Sequence, residues 1–147
     1  MENRKVNISK EISILERAKR KFLDEKLKDY KIDGYMIGYI FTIIKNPGIT
    51  TDEIATNLLV NKSSASRVVE KLSANNYVNK IINSKDKRIL NIYATSELMN
   101  IRIHLVDAIN EFNNTALLGI IEDDKEKFCD LLIHVKENLL KSFIKEK

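Results

Sequence analysis

The sequence predicts a mainly α-helical protein with one small β-hairpin. Apolar residues recur at intervals of three and four through most of the chain, which is typical of helices that each bury one face. Residues 50–58 and 62–73 are predicted to form two short helices, and residues 77–82 and 89–93 two strands rich in β-branched and aromatic side chains. Helix, turn, helix and hairpin in this order indicate a winged helix-turn-helix, a fold that holds DNA in many proteins.

The first short helix follows a chain breaker, Asn46-Pro47-Gly48. Thr50 and Glu53 have the spacing of a capping box, in which the two residues satisfy free N–H groups of the first helical turn reciprocally. The apolar positions of this helix fall on one stripe, so the opposite face stays in water. The stripe contains Ile54, Ala55 and Leu58.

The second short helix carries the candidate recognition face. Asn61 is a good N-cap residue, because its side-chain oxygen can accept a hydrogen bond from a free first-turn N–H. Serine and arginine on the outer face are residue types that reach base edges and phosphates in the major groove. An alternative for Arg67 is an ion pair with Glu70 or Glu53. The inner stripe is Ala65, Val68, Val69 and Leu72, and the outer face is Ser63, Ser66, Arg67 and Glu70, with Lys62 and Ser64 near its start.

The predicted hairpin has a charged tip, residues 83–88. From Thr50 to Thr95 the chain carries seven lysines and arginines against four acids, so most of the formal net charge of +4 lies in this region. A basic excess favours an anionic partner such as DNA. For Arg88 two interpretations stay open: an exposed ion pair with Asp86, or a cation that enters the narrow minor groove of A·T-rich DNA.

The sequence resembles the MarR family over nearly its whole length. The resemblance rests on an ordered combination: Glu53-Ile-Ala-x-x-Leu-x-Val, then Lys62-Ser-Ser-Ala-Ser-Arg67-Val-Val-x-x-Leu72, then Asp86-x-Arg88 with Ala94-Thr95. Members of this family are dimeric winged-helix repressors and activators of bacteria. The resemblance implies that the second short helix contacts the major groove and that Arg88, oriented by Asp86, enters the minor groove. The predicted DNA-binding residues are Thr51, Lys62, Ser63, Ser64, Ser66, Arg67, Lys71, Lys85, Asp86, Lys87 and Arg88.

Two positions depart from the family pattern, which often has glycine at both. Leu59 stands in the turn between the two short helices, and Asn76 stands before the wing. Asparagine tolerates a positive φ, whereas leucine in a left-handed conformation is strained. We therefore expect either an ordinary backbone conformation at Leu59 or an altered angle between the two helices.

Outside the winged helix the chain is predicted to be helical. Asp33 can cap a helix over Gly34–Lys45, which is apolar on most sides and therefore central. The terminal apolar stripes are too long for a small winged helix to cover, so we expect two copies of the chain to pair through them. We expect a single subunit with dimerisation helices at 1–30 and 97–147 and a DNA-binding region at 31–96. The stripes are Ile8, Ile12, Leu15, Ala18 and Phe22, then Leu98, Ile101, Leu105, Ile109 and Phe112, then Phe128, Leu131, Leu132, Val135, Leu139 and Phe143.

Other classes of protein are disfavoured. The longest uncharged run, residues 34–44, has 11 residues, fewer than the roughly 20 that span a bilayer. A charged N-terminus without an apolar secretory segment, together with a single cysteine, favours a cytoplasmic protein. His104 and His134 lie on different helices without a cysteine partner, and no catalytic motif is present, so we expect no metal, no cofactor and no enzyme activity. Cys129 is expected to be a small buried hydrophobe.

These patterns predict a sequence-specific transcriptional regulator that binds a pseudo-palindromic operator on double-stranded DNA as a homodimer, and we expect a repressor. The resemblance also implies release by a small phenolic or aromatic effector, held in a cleft where the dimerisation helices meet the DNA-binding region. Two alternatives stay open, a helical protein–protein interaction module and a nonspecific DNA-binding protein. The predicted effector residues, equally consistent with plain core, are Tyr35, Tyr39, Ile43 and Ile109.

Overall fold

The computed structural model describes residues 6–144, and within them the chain forms six α-helices and one two-stranded antiparallel sheet. This mainly helical fold with a β-hairpin confirms the predicted fold class. Residues 1–5 and 145–147, the ends of the predicted dimerisation segments, lie outside the described range. The elements are α1 (Ile8–Leu27), α2 (Ile37–Lys45), α3 (Thr51–Leu58), α4 (Lys62–Ala74), β1 (Val78–Ile82), β2 (Leu90–Ala94), α5 (Ser96–Ala116) and α6 (Glu122–Ile144).

The chain divides into two compact units, Met1–Phe112 and Asn113–Lys147. The core of the first unit is built around α2, whose Ile40 and Ile43 have no exposed surface. The prediction that this helix is central is therefore confirmed. None of the six helices, as far as the structure describes them, is long and apolar enough to cross a membrane. The other large side chains that are fully buried are Leu23, Leu27, Ile32, Ile54, Val69, Leu72, Ile92, Leu98 and Leu105.

The start of α2 differs from the prediction. Residues Gly34–Met36 form a 3-10 turn that precedes the α-helix, and Asp33 makes no side-chain capping hydrogen bond. Instead, the carboxylate of Asp24 on α1 accepts a hydrogen bond from the N–H of Gly34 at 2.6 Å. A Cβ atom at residue 34 would lie 2.8 Å from the Cβ of Leu23. Glycine therefore allows this segment to pack directly on α1, a contact that no local capping signal could predict.

Within the single chain, helix α1 has buried side chains only in its last six residues, 22–27. Leu23 and Leu27 are each 1% exposed. The N-terminal part of the predicted stripe lies in solvent: Ile8, Ile12 and Leu15 are 52%, 45% and 56% exposed. Of the predicted stripe, Phe22 is half-buried and packs against the core. The two fully buried residues of α1, Leu23 and Leu27, were not predicted.

The turn between α3 and α4 has a left-handed backbone at Leu59, with φ 55° and ψ 41°. The N–H of Val60 donates to the carbonyl of Ala55 at 3.0 Å, and the N–H of Leu59 donates to that of Thr56 at 3.4 Å. This pair of hydrogen bonds is the Schellman motif. An ordinary conformation at Leu59, one of the two expectations, is therefore wrong. Asn76 also has a positive φ, 60°, which an asparagine tolerates.

The capping box at the start of α3 is confirmed. Thr50 Oγ1 accepts a hydrogen bond from the N–H of Glu53 at 3.3 Å, and the Glu53 carboxylate accepts one from the N–H of Thr50 at 2.9 Å. Both hydrogen bonds satisfy backbone donors that have no partner inside the helix. The hydrogen bond from the Thr50 N–H, together with one from the Thr50 hydroxyl at 2.9 Å, lowers the pKa of the Glu53 carboxyl, because the charged form is the better acceptor.

The wing is a hairpin with an extra attachment to the helices. Strands β1 and β2 pair with Val78 opposite Ala94 at the base. Val78 and Ile92 are buried, at 2% and 0% exposure. An isolated bridge also joins Ile92 to Ile49. The base of the wing is thus fixed both by the core and by the segment that leads into α3.

Replacement of Leu59 tests the strain in the turn. A left-handed conformation costs an L-residue on the order of 1 kcal/mol, and glycine avoids this cost. Leu59→Gly and Leu59→Ala remove the same exposed side chain, but only glycine relieves the backbone. We expect the free energy of unfolding of Leu59→Gly to exceed that of Leu59→Ala by about 1 kcal/mol in urea denaturation. Equal stabilities would show that the turn stores no strain.

Candidate nucleic-acid interface

Helix α4 presents a polar outer face because its inner face is held in the core. Ala65 and Leu72 on the inner stripe are 0% and 1% exposed. At its start, Asn61 Oδ1 accepts hydrogen bonds from the N–H of Ser64 at 2.7 Å and from the hydroxyl of Ser63 at 2.8 Å. This cap confirms the predicted start of the helix. On the outer face, Lys62, Ser63 and Arg67 are exposed, and Ser64 and Ser66 are half-buried.

Arg67 is exposed and forms no ion pair with any residue from 6 to 144. The two acids considered as its partners are engaged elsewhere. Glu70 accepts a hydrogen bond from Lys80 Nζ at 2.5 Å, and Glu53 accepts one from Thr50. The ion-pair alternative for Arg67 therefore has no support. Its guanidinium is available to an anionic or hydrogen-bonding partner.

The lysines of α4 contact neighbouring elements. Lys62 Nζ lies 2.9 Å from Asp52 Oδ1 on α3. Lys71 Nζ donates to the hydroxyl of Tyr35 at 3.0 Å and lies 3.8 Å from Asp33, and the hydrogen bond with Tyr35 raises the pKa of Lys71. The charged groups in these contacts are more than half exposed to water, so the contacts contribute little to stability. Both lysines remain predicted DNA contacts, but each has a protein partner to exchange for phosphate.

A groove of about 530 Å³ lies beside α4. In it, the guanidinium of Arg20 on α1 lies 4.7 Å from the centre of the Tyr35 ring. Of the predicted effector residues, Tyr35 and Tyr39 line this groove. Ile43 is fully buried, and Ile109 is half-buried against the core. The complete lining is Arg20, Asp33, Tyr35, Tyr39, Ser64, Arg67, Val68 and Lys71.

At the wing tip, Arg88 and Asp86 form a two-point contact. Arg88 Nε donates to Asp86 Oδ1 at 3.1 Å, one terminal nitrogen donates to Oδ2 at 3.0 Å, and the backbone N–H of Arg88 donates to Oδ1 at 3.0 Å. The contact with Arg88 lowers the pKa of Asp86 and raises that of Arg88. The Arg88 side chain nevertheless stays 90% exposed. Asp86 therefore orients the guanidinium without covering it.

The remaining predicted DNA contacts flank these two features. Lys85 and Lys87 are exposed on the same tip as Arg88, and Thr51 is half-buried at the first position of α3. The start of α3 and the wing tip thus both carry groups that can contact phosphate.

Two asparagines that the sequence pattern did not identify connect the wing tip to the helix-turn-helix. Asn83 Oδ1 accepts hydrogen bonds from the backbone N–H groups of Lys85 at 2.8 Å and Asp86 at 3.1 Å. Asn83 Nδ2 donates to Asn91 Oδ1 at 2.9 Å. Asn91 Nδ2 in turn donates to the carbonyl of Gly48 at 2.7 Å. We call this chain of side-chain amides, Asn83 and Asn91 with the Gly48 carbonyl, the amide relay.

Other residues considered for chemistry lie apart. Cys129 was expected to be buried, but in the single chain it is exposed, as is most of α6, which has no buried residue. His104 stacks on Tyr30 with ring centres 5.2 Å apart, and His134 is exposed on α6. Across residues 6–144, no three His, Cys, Asp or Glu side chains are grouped so that they could hold a metal ion.

A capped recognition helix, its supporting helix and an arginine-tipped hairpin define a winged helix-turn-helix protein. Residues 39–90 match the sequence model of the MarR family. The chain is 25% identical over 133 residues to the uncharacterized HTH-type transcriptional regulator YybA of Bacillus subtilis, and this match covers 90% of the chain and 89% of YybA. These matches confirm the resemblance to the MarR family, which the family model carries over the segment from α2 to the start of β2.

Solved structures with this fold include a MarR protein from Peptoclostridium difficile, with a TM-score of 0.89, 24% identity, and coverage of 100% of this chain and 96% of that one. Another is a putative MarR family regulator from Listeria monocytogenes complexed with a 26mer DNA, with a TM-score of 0.83, 22% identity, and coverage of 95% and 93%. These likenesses confirm the fold. The matching family and the curated relatives are transcriptional regulators, which confirms the prediction of a regulator rather than an enzyme.

Arg88→Ala tests whether Arg88 controls the ionisation of Asp86. Loss of the guanidinium removes the main stabiliser of the carboxylate, so we expect the pKa of Asp86 to rise toward its ordinary value. The rise should be partial, because the backbone N–H of residue 88 remains. NMR titration of the Asp86 carboxyl carbon measures this pKa. Lys87→Ala, an equal loss of charge one residue away, is the control, and equal shifts in both variants would contradict a specific contact.

The same contact has a defined pH dependence. Because the folded-state pKa of Asp86 is lowered, the stabilisation by Arg88 is complete above the unfolded-state pKa. It is lost as the pH falls through the lower, folded-state pKa. Orientation of Arg88 is therefore expected to be intact at neutral pH and to weaken only in acid.

Proposed function

We propose that this protein is a sequence-specific DNA-binding regulator in which α4 reads the major groove and the wing tip enters the minor groove. The observation that carries the proposal is the exposure of two arginines on elements held by the core. Arg67 has no protein partner among the described residues, and Arg88 is oriented by Asp86 yet 90% exposed. Arginine is the commonest reader of guanine and the usual cation in narrow minor grooves.

We propose further that two copies pair through their terminal helices. On α1, apolar side chains from Ile8 to Leu15 are about half exposed. On α6, none of the residues is buried in the single chain, and Leu131, Leu139 and Phe143 are 55%, 53% and 58% exposed. Apolar side chains that repeat along a helix and stay exposed are typical of an interface between subunits.

This pairing assigns a role to each part of the chain. Residues 1–30 and 97–147 form the dimerisation segments, and residues 31–96 bind DNA. A two-fold dimer places its recognition helices one or more DNA turns apart, roughly 34 to 36 Å per turn, and so requires a pseudo-palindromic operator. We propose a repressor, because occupancy of a promoter blocks transcription without any further contact, whereas activation needs one.

The groove beside α4 supports a small-molecule effector. Two tyrosines line it together with one acid, Asp33, and three cations, so positive charge is in excess; the cations are Arg20, Arg67 and Lys71. This lining suits a phenolic or aromatic ligand that carries a negative charge. Because Arg67 and Lys71 also belong to the proposed DNA-binding face, a ligand in the groove would compete with DNA for their side chains. Release from the operator is the expected consequence.

Selection from a random duplex pool tests the function as a whole. Purified protein is incubated with the pool at two salt concentrations, and the DNA that it retains is sequenced. Recovery of a pseudo-palindrome supports a dimeric, sequence-specific regulator. Salt-sensitive retention without a motif favours the nonspecific DNA-binding alternative, because counterion release alone then carries the affinity. No retention at either salt contradicts DNA binding and favours a protein–protein interaction module.

Arginine variants test the assignment of the two grooves. Arg67→Ala is expected to weaken binding to the selected operator by about 1 to 3 kcal/mol, with a smaller loss on random DNA, if Arg67 reads a base. Arg88→Ala is expected to cost most when the flanks are A·T-rich. Arg102→Ala on α5 is the control of equal charge. Equal losses on operator and random DNA would show that Arg67 contacts only phosphate. A loss from Arg88→Ala that does not depend on the flank sequence would contradict its place in the minor groove.

A ligand titration tests the effector. We expect at least one member of a panel of phenolic and aromatic carboxylates to lower operator affinity in fluorescence anisotropy. Arg20→Ala should reduce this response while leaving ligand-free affinity unchanged, because Arg20 lies in the groove but not on α4. Arg17→Ala, an exposed arginine on the same helix, is the matched control. The effector hypothesis fails if no compound changes affinity or if Arg20→Ala responds like the wild-type protein.

A further inference from the structure

The wing tip extends beyond the packed core. At the base of the hairpin, Val78 and Ile92 are buried, but at the end of the strands Ile82 and Leu90 are 61% and 42% exposed. Hydrophobic packing therefore fixes the base and not the tip. An isolated two-stranded hairpin is at best marginally stable in water. Some other interaction must hold the tip if its arginine is to have a defined position.

Two backbone hydrogen bonds close the tip on itself: the N–H of Asn83 donates to the carbonyl of Ile89 at 2.9 Å, and the N–H of Ile89 donates to that of Asp86 at 3.0 Å. The amide relay connects the tip to the segment that leads into α3. At its outer end, Asn83 accepts the backbone N–H of Asp86, the residue whose carboxylate orients Arg88. In the middle, Asn83 and Asn91 join the two sides of the hairpin. Both side chains are half-buried, so these hydrogen bonds compete less with water than those of an exposed pair.

The inner end of the relay is itself fixed. Gly48 donates its N–H to the carbonyl of Ile92 at 2.8 Å, and Ile92 donates to Ile49 at 2.9 Å. Gly48 has φ +86°, and a Cβ atom there would lie 2.9 Å from the hydroxyl of Tyr93. Gly48 is also two residues before Thr50, the N-cap of α3. The relay therefore ties the wing tip to the first helix of the helix-turn-helix.

We propose that Asn83 and Asn91 are positioning residues for Arg88, which hold the wing tip at a set place relative to the helix-turn-helix. This inference rests on the proposed function, because it concerns the arginine that enters the minor groove. A side chain that is already ordered before binding loses less conformational entropy on binding. The relay therefore increases the affinity contributed by Arg88 without touching DNA.

The first experiment needs no DNA. NMR titration gives the pKa of Asp86 in Asn83→Ala, Asn91→Ala and Ser84→Ala. Ser84 is an exposed neighbour whose side chain makes no hydrogen bond to another described residue, so it is the matched control. Without the relay, the tip is expected to loosen, the contact between Asp86 and Arg88 to be populated less, and the pKa of Asp86 to rise in both asparagine variants only. An unchanged pKa in both, with the fold retained by circular dichroism, overturns the inference.

The second experiment is a double-mutant cycle on the selected operator. We expect Asn83→Ala and Asn91→Ala each to weaken binding by roughly threefold to tenfold, the worth of one hydrogen bond. In the Arg88→Ala background the same changes should cost less than about twofold, because their effect passes through Arg88. Equal losses in both backgrounds would show a merely structural role and overturn the inference. So would no loss in the wild-type background.

The two experiments separate the inference from the function on which it rests. If the wild-type protein binds no duplex, DNA binding fails, while the pKa of Asp86 still decides whether the relay positions the tip. If Arg88→Ala weakens operator binding and the asparagine variants do not, DNA binding stands and the positioning role fails.

Discussion

The hydrogen-bonded turn at Leu59 is the constraint on which the proposed DNA-binding surface depends. Its two backbone hydrogen bonds end α3, and Asn61 starts the cap of α4 only two residues later. With so short a connection, the turn determines how α4 leaves α3. The inner stripe of α4 must then fit the core in that orientation, since Ala65 and Val69 are 0% and 2% exposed. Any change in the turn would move all outer side chains of α4 together.

Three lysines of the DNA-binding region pair with a neighbouring element, whereas two arginines keep their side chains exposed. Lys62 contacts α3, Lys71 contacts the segment before α2, and Lys80 on β1 contacts α4, so each lysine joins two elements. Each pair has at least one partner that is more than half exposed, so it contributes little to stability and can be exchanged for a phosphate at small cost. Arg67 and Arg88 instead keep their guanidinium groups exposed. A rigid planar fork is more useful for recognition than a point charge, because it fixes direction as well as sign.

The sequence predicted those features that depend on near neighbours in the chain. The capping box, the Asn61 cap and the central α2 were all visible in residue type and spacing, because the interactions span three or four residues. The left-handed backbone at Leu59 was not predicted, since the tertiary fit of α3 and α4 outweighs the preference of a single leucine.

Contacts between distant residues were also missed. Gly34 is explained only by its approach to α1, and Leu23 was missed because several registers of the α1 stripe suit the helical period. Asn83 could have been recognised as a turn residue three positions before Asp86. Its contact with Asn91 depends on the register of the two strands, and the contact of Asn91 with Gly48 depends on how the wing is attached to the helices. Neither can be predicted from neighbouring residues in the sequence.

The groove and the wing have different consequences for the proposed regulation. Arg67 and Lys71 line the groove, whereas no residue of the hairpin does. A ligand there would compete directly for the groups of α4 that read sequence, while the wing could still contact the minor groove. Linkage requires that DNA weaken ligand binding by the same factor by which ligand weakens DNA binding. Because only the α4 contacts take part in this competition, the coupling cannot exceed what those contacts contribute. A ligand-bound dimer would therefore retain weak, salt-sensitive affinity for DNA through the wing. The ligand would thus abolish sequence-specific binding to the operator and leave nonspecific binding in place.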